Sequence, residues 1–242
     1  MSTAVLSVTS TGLFVALCAL AAATYATRRW HYSHSMPSGR LVCFGAWEDA
    51  AFIGAVVFGR GASSEIGSPF GLRQDQICEL CRVALGPHRA PTSQIVAIAV
   101  RLLRRQSPGL RLIVSYADPQ HGHVGVLYQA MGWLYLGTTN AESLIQLNGR
   151  LFHPRTVASR YRTRGIDWLR QHVAPDAAHI RQPPKHRYVL PLDDAMPRQL
   201  EPRVQPYPRH AGEAEKRCGG LLPAEDGANP IRPLSPHEVA HG

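Results

Sequence analysis

The stretch LRLIVSYADPQHGHVGVLYQAMGWLYLG, residues 110–137, decides the fold, because three elements follow one another in it. LRLIVSYAD is apolar almost without interruption up to Val114, which predicts a strand buried on both faces. VGVLYQAMG predicts a short helix, and WLYLGTT predicts a second strand. A strand, a helix and another strand in one run indicate an α/β chain.

The segments on either side extend this alternation. LVCFGAW and AFIGAVVFG are β-rich and separated by Glu48, Asp49 and Ala50, which is a hairpin spacing. APTSQIVAIAVRLLRRQSPG predicts a helix with Thr92 and Ser93 as caps. The chain is therefore expected to form an α/β fold, a mixed sheet flanked by helices. Further predicted elements are strands at VLSVTS, ICELCRVAL and KHRYVLPLD, a hairpin at ESLIQLNGRLFH with Asn148-Gly149 at its turn, and helices over residues 12–26, with Ser10 or Thr11 as N-cap, and at IDWLRQHV.

Charge is distributed unevenly along the 242 residues, whose formal net charge is +9. From Met196 onward the chain is rich in Pro and Gly and has no apolar periodicity, so we expect residues 196–242 to be a disordered tail. Six Lys or Arg residues balance six Asp or Glu residues there. The excess positive charge therefore lies in residues 1–195, which we expect to form one domain.

A basic domain favours a polyanionic partner such as nucleic acid, and a planar guanidinium suits bidentate phosphate contacts. Preference for Arg over Lys also follows from a GC-rich genome. The apolar run over residues 12–26 is shorter than the ~20 residues of a spanning helix, so no membrane partner is expected, with a membrane anchor as the alternative. Cys78 and Cys81 lack the second cysteine pair of a zinc site and are expected to be buried thiols.

Five segments occur in a fixed order: RRWHYSHSMPSGR, FIGAVVFGRGA, ELCRVAL, SYADPQHGHVGVLYQAMGWLYLG and KHRYVLPL. Together, over about residues 28–193, they resemble the Mom family of phage DNA-modification proteins, and the order of elements resembles the GNAT acyltransferase fold. The resemblance implies transfer of a carbamoylmethyl (acetamido) group to the exocyclic amine of adenine, which shields phage DNA from host restriction.

The same resemblance implies double-stranded DNA and a small-molecule group donor as partners, and the host cytoplasm as location. An ordinary GNAT N-acetyltransferase that acts on a small amine or a protein is the alternative enzyme. A non-catalytic DNA-binding or membrane-anchored protein is a third hypothesis.

The amine of adenine is a weak nucleophile and is out of reach inside a duplex, so the base should be flipped into a pocket. The polar run after Val114 lies at a strand end, where open α/β sheets place ligands. We expect Asp118 to act as a general base or orienting carboxylate, with an Asx-turn ahead of Pro119 as the alternative. GNAT enzymes often place a leaving-group acid at the position of Tyr128, for which a core aromatic is the alternative. The candidate catalytic residues are Ser115, Tyr116, Asp118, His123 and Tyr128.

His121 and His123 flank Gly122, which predicts that they face opposite ways. Together with Asp118 they suit iron or zinc, but the spacing fits no regular motif and no metal site is assigned. The cofactor also stays unassigned. Acetyl-CoA is one candidate, although GPHRAPTSQ, residues 86–94, has a single Gly where such enzymes carry a Gly-rich loop. The candidate cofactor residues are Thr92 and Ser93, whose helix start can bind an anion, and Arg89.

Basic and aromatic residues in RRWHYS are expected to contact phosphates and bases, and HPRTVASRYRTR is the densest basic stretch. For Arg101 the alternative is a solvated helix face. Arg82 and Glu79 are three apart, which predicts opposite strand faces, and a structural ion pair is the alternative for either residue. The candidate substrate or DNA contacts are Arg28, Arg29, His31, Tyr32, Ser33, Arg82, Arg101, Arg155, Arg160 and Lys185.

Overall fold

A computed structural model describes residues 12–61 and 63–209, and the predicted strand at VLSVTS lies outside them. The strands are β1 (Leu13–Leu17), β2 (Leu41–Glu48), β3 (Ala51–Gly59), β4 (Ile77–Leu85), β5 (Leu112–Ala117), β6 (Leu134–Thr138), β7 (Glu142–Leu147), β8 (Arg150–Phe152), β9 (Ala178–Gln182) and β10 (His186–Pro191). The α-helices are α1 (Leu20–Trp30), α2 (Thr92–Gln106), α3 (Val126–Ala130), α4 (Pro154–Tyr161), α5 (Ile166–His172) and α6 (Met196–Leu200).

Seven strands form one mixed sheet in the order β1-β2-β3-β4-β5-β10-β6. Its neighbouring strands are antiparallel, except that β4 and β5 are parallel and are connected through α2. Helix α2 packs on one face of this sheet, and α1 and α6 pack on the other. The prediction of an α/β fold with a mixed sheet flanked by helices is confirmed.

Both predicted hairpins are present, and both turn through two residues. Asp49 and Ala50 have φ of 47° and 67°, and Asn148 and Gly149 have φ of 50° and 71°. Two successive positive φ angles suit the right-handed twist of the flanking strands. The turn between β2 and β3 has Ala50, which rarely adopts this conformation, where Gly is usual, which explains why only the strand spacing indicated it.

The predicted helix over residues 12–26 is wrong in its position. Residues Leu13 and Val15 alternate with less buried neighbours and pair with β2 as an edge strand, so the helix starts only at Leu20. Ala19 is its N-cap, and the expected caps Ser10 and Thr11 lie outside the described residues. None of the helices within residues 12–61 and 63–209 has both the length and the apolar character needed to cross a membrane.

Strands β4 and β5 separate towards their carboxyl ends. Glu79 and Val114 form the last pair of their ladder, beyond which the two strands part and leave an opening in the sheet. On its other side β4 pairs Glu79 with Gly59 and Arg82 with Val57, with a β-bulge between. Gly59 and Val57 are two residues apart, so Glu79 and Arg82 lie on the same face. The prediction of opposite faces is wrong because the bulge adds one residue.

A second sheet, β8-β7-β9, and helices α4 and α5 form an inserted module, residues 142–182, between β6 and β10. Its own core contains Ile145, Val157 and Leu169. The module is closed at its base by the Thr139 amide, which donates to the Lys185 carbonyl at 2.8 Å, and by the Lys185 amide, which donates to Thr139 Oγ1 at 3.0 Å. Sequence analysis indicated β7, β8 and α5 but missed β9 and α4.

The folded region extends beyond residue 195. In α6, Met196 and Leu200 are four residues apart and fully buried against the sheet, and the Gln199 side-chain amide donates to the Phe70 carbonyl at 2.7 Å. The compact unit reaches Pro208, so the predicted boundary at 195 lies too early. Residues from 210 onward, the rest of the predicted tail, lie outside the described residues.

Gly125 is the N-cap of α3 with φ of 89°, and a Cβ there would overlap the Tyr188 ring. We expect Gly125→Ala to lower the free energy of unfolding by about 2 kcal/mol, because it combines backbone strain with overpacking. Urea denaturation measures this loss. Gly122→Ala is the matched control for strain alone, since Gly122 also has positive φ but has nothing within 4 Å of its Cβ position. Equal losses in the two variants would contradict the overlap.

Candidate active site

Ser115 and Tyr128 meet at the opening between β4 and β5. The Ser115 hydroxyl donates to the Leu80 carbonyl at 2.8 Å across the opening and is hydrogen-bonded to the Tyr128 hydroxyl at 2.7 Å. Ser115 carries one hydroxyl proton, so when it donates to Leu80 the proton between the two hydroxyls comes from Tyr128. The fold thus brings together two predicted catalytic residues that are thirteen positions apart.

Tyr128 is held in an aromatic cluster, 5.1 Å from the ring centroids of both Trp133 and Tyr188. Burial raises the pKa of Tyr128 to about 12, against the hydrogen bond with Ser115, which lowers it. The phenol is therefore protonated at neutral pH and can donate a proton. Its ring packs as a core aromatic, which was the alternative to a catalytic role, while its hydroxyl bonds to Ser115 at the opening.

Tyr116 lies on the opposite face of the sheet from Ser115, because successive strand residues alternate. It pairs with Arg187 of β10, whereas Ser115 pairs with Tyr188. Burial raises the pKa of Tyr116, and the charge of Glu79 adds to this effect. Two residues that were expected to act together therefore reach a ligand only from different sides of the opening.

Asp118 forms the side-chain turn ahead of Pro119 that sequence analysis gave as the alternative to a catalytic role. Its Oδ1 accepts from the Gln120 amide at 3.0 Å and caps the short 3₁₀ turn Pro119–His121. Its Oδ2 lies 3.7 Å from Lys185 Nζ, which belongs to the stem of the inserted module. Lys185 was predicted to contact substrate or DNA, and in the structure it lies beside Asp118 of the same chain. A general-base role for Asp118 stays a prediction.

Three imidazoles surround the Tyr32 ring. His31 and His121 lie 4.2 and 4.1 Å from its centroid, and His123 lies 5.6 Å away. The prediction that His121 and His123 face opposite ways is wrong, because Gly122 has φ of 71° and reverses the chain. Tyr32 is 43% exposed, but two of these rings already pack against it.

The loop after α1 is held to β4. His31 is buried, and its Nδ1 lies 2.8 Å from Ser33 Oγ, so Ser33 orients this ring. Arg82 donates from Nε to the Ser35 carbonyl at 3.1 Å and from Nη1 to its neighbour Cys81 at 2.7 Å. Burial, followed by the charge of Arg82, lowers the pKa of His31 to about 4, so the ring is neutral at neutral pH.

The carboxylate of Glu48 accepts hydrogen bonds from backbone amides of the loop ahead of α2. Glu48, at the end of β2, accepts the Ala90 amide at 2.6 Å and the Arg89 amide at 3.0 and 3.1 Å. The Arg89 guanidinium forms an ion pair with Asp49 and lies 3.7 Å from Glu48. These contacts hold the pKa of Glu48 below its ordinary value, with the Ala90 amide as the largest cause.

The loop ahead of α2 offers few groups to the pyrophosphate of a coenzyme A donor. The amides of Arg89 and Ala90 are already used, Pro91 has no N–H, and the Glu48 carboxylate repels an anion. Thr92 begins α2 as its first residue instead of capping it, and its hydroxyl lies 3.1 Å from His88 Nε2. The amides of Thr92 and Ser93 have no partner within the part of the chain that the structure describes, and anion binding at the start of α2 stays a prediction.

The predicted arginine contacts are spread over the molecule. Arg28 and Arg29 are exposed in the last turn of α1, directly before Tyr32 and its imidazoles. Arg101 lines a surface recess with Leu110, which precedes β5, so it lies at the opposite end of the sheet from Asp118. Arg155 and Arg160 lie on α4 of the inserted module, where the Arg160 guanidinium is 5.4 Å from the centroid of the Tyr161 ring.

Cys78 and Cys81 are free thiols, and burial raises the pKa of Cys78 to about 12, so this thiol is not a nucleophile at neutral pH. Across residues 12–61 and 63–209 we find no group of three or more His, Cys, Asp or Glu side chains arranged to hold a metal ion.

Sequence reasoning missed Glu48 as a site residue, weighed Arg187 only as a minor DNA contact beside Lys185, and did not commit to Glu79. The contacts of Glu48 span 41 or 42 positions, and no local pattern reveals them. Arg187 and Glu79 become neighbours of Tyr116 only through strand pairing. The sequence shows only that each of these charges lies in or at the end of an apolar strand.

Comparison with known proteins gives a family match over most of the chain. The sequence model of the Mom protein family matches residues 12–209. The protein "Methylcarbamoylase mom" of Escherichia phage Mu is 25% identical over 188 residues, which cover 74% of this chain and 76% of that protein.

Solved structures with a similar fold are acetyltransferases. An aminoglycoside N-acetyltransferase has a TM-score of 0.41 at 13% identity and covers 74% of this chain and 96% of its own. The ribosomal-protein-S5-alanine acetyltransferase of Vibrio fischeri has a TM-score of 0.45 at 11% identity and covers 78% and 98%. These acetyltransferases are structural neighbours of the mixed sheet flanked by helices, and no role for this chain follows from the likeness.

Proposed function

The chain belongs to the Mom protein family, and from this premise we propose that it modifies adenine in phage DNA. The product is adenine with a carbamoylmethyl (acetamido) group on the exocyclic amine, which protects the DNA from host restriction enzymes in the host cytoplasm. The family match over residues 12–209 is the observation that carries this proposal. The name of the phage Mu relative, a methylcarbamoylase, supports transfer of a small amide-bearing group.

The hydroxyl pair at the sheet opening supports a transferase mechanism. Tyr128 is protonated at neutral pH and donates its proton to the leaving group as the donor's bond to that group breaks and the bond between the adenine amine and the transferred carbon forms. Ser115 then turns its proton from the Leu80 carbonyl to the Tyr128 phenolate, which this hydrogen bond stabilises. The proton that the amine releases then restores the Tyr128 phenol. Asp118, held by Lys185 and the Gln120 amide, fixes the turn beside this pair.

The charge distribution supports DNA as the substrate. The inserted module, residues 142–182, carries seven Arg against three Asp or Glu, a net charge of +4. Its α4 presents Arg155 and Arg160, and Arg28 and Arg29 stand exposed beside the Tyr32 cluster. Lys185, at the stem of the module, lies 3.7 Å from Asp118, so the basic module joins the sheet beside the proposed site.

Mass spectrometry of nucleosides from cells that express the chain tests this function. We expect a modified deoxyadenosine heavier by one carbamoylmethyl group, absent from cells with an empty vector. Soluble expression without any change in deoxyadenosine would contradict the proposal. An acetyl increment on a free amine, with DNA unchanged, would favour the ordinary N-acetyltransferase instead.

A further inference from the structure

Three polar side chains form a row across the face of the sheet opposite Ser115. Tyr116 of β5 pairs with Arg187 of β10, and Glu79 of β4 pairs with Val114, two residues before Tyr116. Residues that pair, or lie two apart on a strand, share a face. The row Glu79, Tyr116 and Arg187 therefore lies on one face, and Glu79 marks the point where β4 and β5 part.

The polar groups of this row are not satisfied by the chain. Glu79 is half-buried, and its carboxylate has no hydrogen bond or ion pair with any residue that the structure describes. Arg187 donates from Nη2 to the Leu136 carbonyl at 3.3 Å, but its Nε is buried and finds no acceptor among those residues. Buried polar groups normally have partners, and exceptions are typical of sites that receive a ligand.

Charge at the row limits what that ligand can be. Burial raises the pKa of Glu79, while Arg82 and Lys185 lower it without touching the carboxylate. A phosphate beside Glu79 would be repelled, so the row does not suit the DNA backbone. It suits an uncharged group that donates an N–H to Glu79 and offers an acceptor to Arg187.

Tyr116 supplies the surface on which such a group would lie. Tyr32 already packs against two imidazoles, and Tyr128 packs against Trp133 and Tyr188. Tyr116 is partly buried against an apolar cluster that contains Phe70, but its ring forms no stacking or edge contact with another described ring and stays partly exposed. Strands are ~4.8 Å apart and Glu79 is offset by two residues of ~3.3 Å along the strand, so the backbone positions of Glu79 and Arg187 are about 12 Å apart, which leaves room for a purine between their side chains.

We propose that Glu79, Tyr116 and Arg187 form the recognition pocket for the flipped adenine, whose exocyclic amine donates to Glu79 while its ring stacks on Tyr116. This inference rests on the proposed function. It places the base on one face of the sheet and Ser115 and Tyr128 on the other. In this proposal the exocyclic amine reaches the side of Ser115 and Tyr128 where β4 and β5 part, beyond the hydrogen bond from Ser115 to the Leu80 carbonyl.

Binding to base analogues tests the pocket without requiring turnover. The probes are two mixed-sequence duplexes, one with deoxyadenosine and one with deoxynebularine, which lacks the exocyclic amine. We expect the wild-type chain to bind the adenine duplex about 10-fold more tightly by fluorescence anisotropy, the effect of one charge-assisted hydrogen bond. In Glu79→Ala this preference should fall to about 1-fold, and Glu79→Gln should keep part of it, because its amide oxygen still accepts.

Glu201→Ala is the matched control, because it removes an exposed carboxylate outside the row and should keep the full preference. If Glu79→Ala does not fold, Glu79→Gln with its reduced preference decides the result. Folded Glu79 variants that keep the wild-type preference and form the modified nucleoside at the wild-type rate would overturn the pocket. Wild-type discrimination that depends on Glu79, without any modified deoxyadenosine, would overturn the proposed function and leave the pocket standing.

Discussion

Tyr128→Phe is expected to lower the rate of adenine modification by about 100-fold, the usual contribution of one general acid. The variant removes the hydroxyl that lies 2.7 Å from Ser115 but keeps the ring between Trp133 and Tyr188. The rate is measured as modified deoxyadenosine formed per unit time in purified DNA or in expressing cells.

The thermal midpoint of Tyr128→Phe should change little, because Ser115 keeps its hydrogen bond to the Leu80 carbonyl. Tyr25→Phe is the matched control, since it removes a hydroxyl from an exposed tyrosine of α1. A Tyr128→Phe protein with the wild-type rate would show that Tyr128 serves only the core.

Glu48→Ala is expected to lower the thermal midpoint by on the order of 10 °C, because it leaves the Arg89 and Ala90 amides without acceptors. Thermal unfolding followed by circular dichroism measures the change. Asp49→Asn is the control, because it weakens only an exposed ion pair with Arg89 and should have a small effect. A Glu48→Ala midpoint equal to that of Asp49→Asn would contradict the anchoring role.

The stability difference between the wild type and Glu48→Gln should also depend on pH. The folded-state pKa of Glu48 is lowered from its ordinary value of 4.5 by the Ala90 and Arg89 amides. The extra stability from the ionised form is therefore fully present above about pH 4.5 and is lost as the pH falls through the lowered pKa. Urea denaturation at neutral and acidic pH checks this, and a difference that grows in acid would contradict it.

Much of the sheet could be predicted because its signals are local. The apolar run before Ser115 and the Asn148-Gly149 turn each specify their element within a few residues. The helix predicted over residues 12–26 was misplaced because these residues suit either a helix or an edge strand, and pairing with β2 decides between them. Strand β9 was not predicted, because its extended conformation depends on its pairing with β7.

The candidate site was predicted in part. Ser115 and Tyr128 were both selected, and the structure brings their hydroxyls into contact. Tyr116 was placed with them, although alternation along β5 turns it to the other face. The β-bulge that moves Glu79 and Arg82 to one face depends on the register of β3 against β4. Neither that register nor the contacts of Glu48 has a local sequence signal.

The amino-acid sequence by itself determined the order of most strands and helices, the positive charge of the folded region and the resemblance to a family, because these follow from neighbouring residues and composition. Only the tertiary structure decided where β4 and β5 part and which side chains share each face of the sheet. It also decided that the Glu48 carboxylate binds the backbone amides ahead of α2. These features arise from pairings between residues tens of positions apart. Strand register and burial set them, and neither is written in any short segment of the chain.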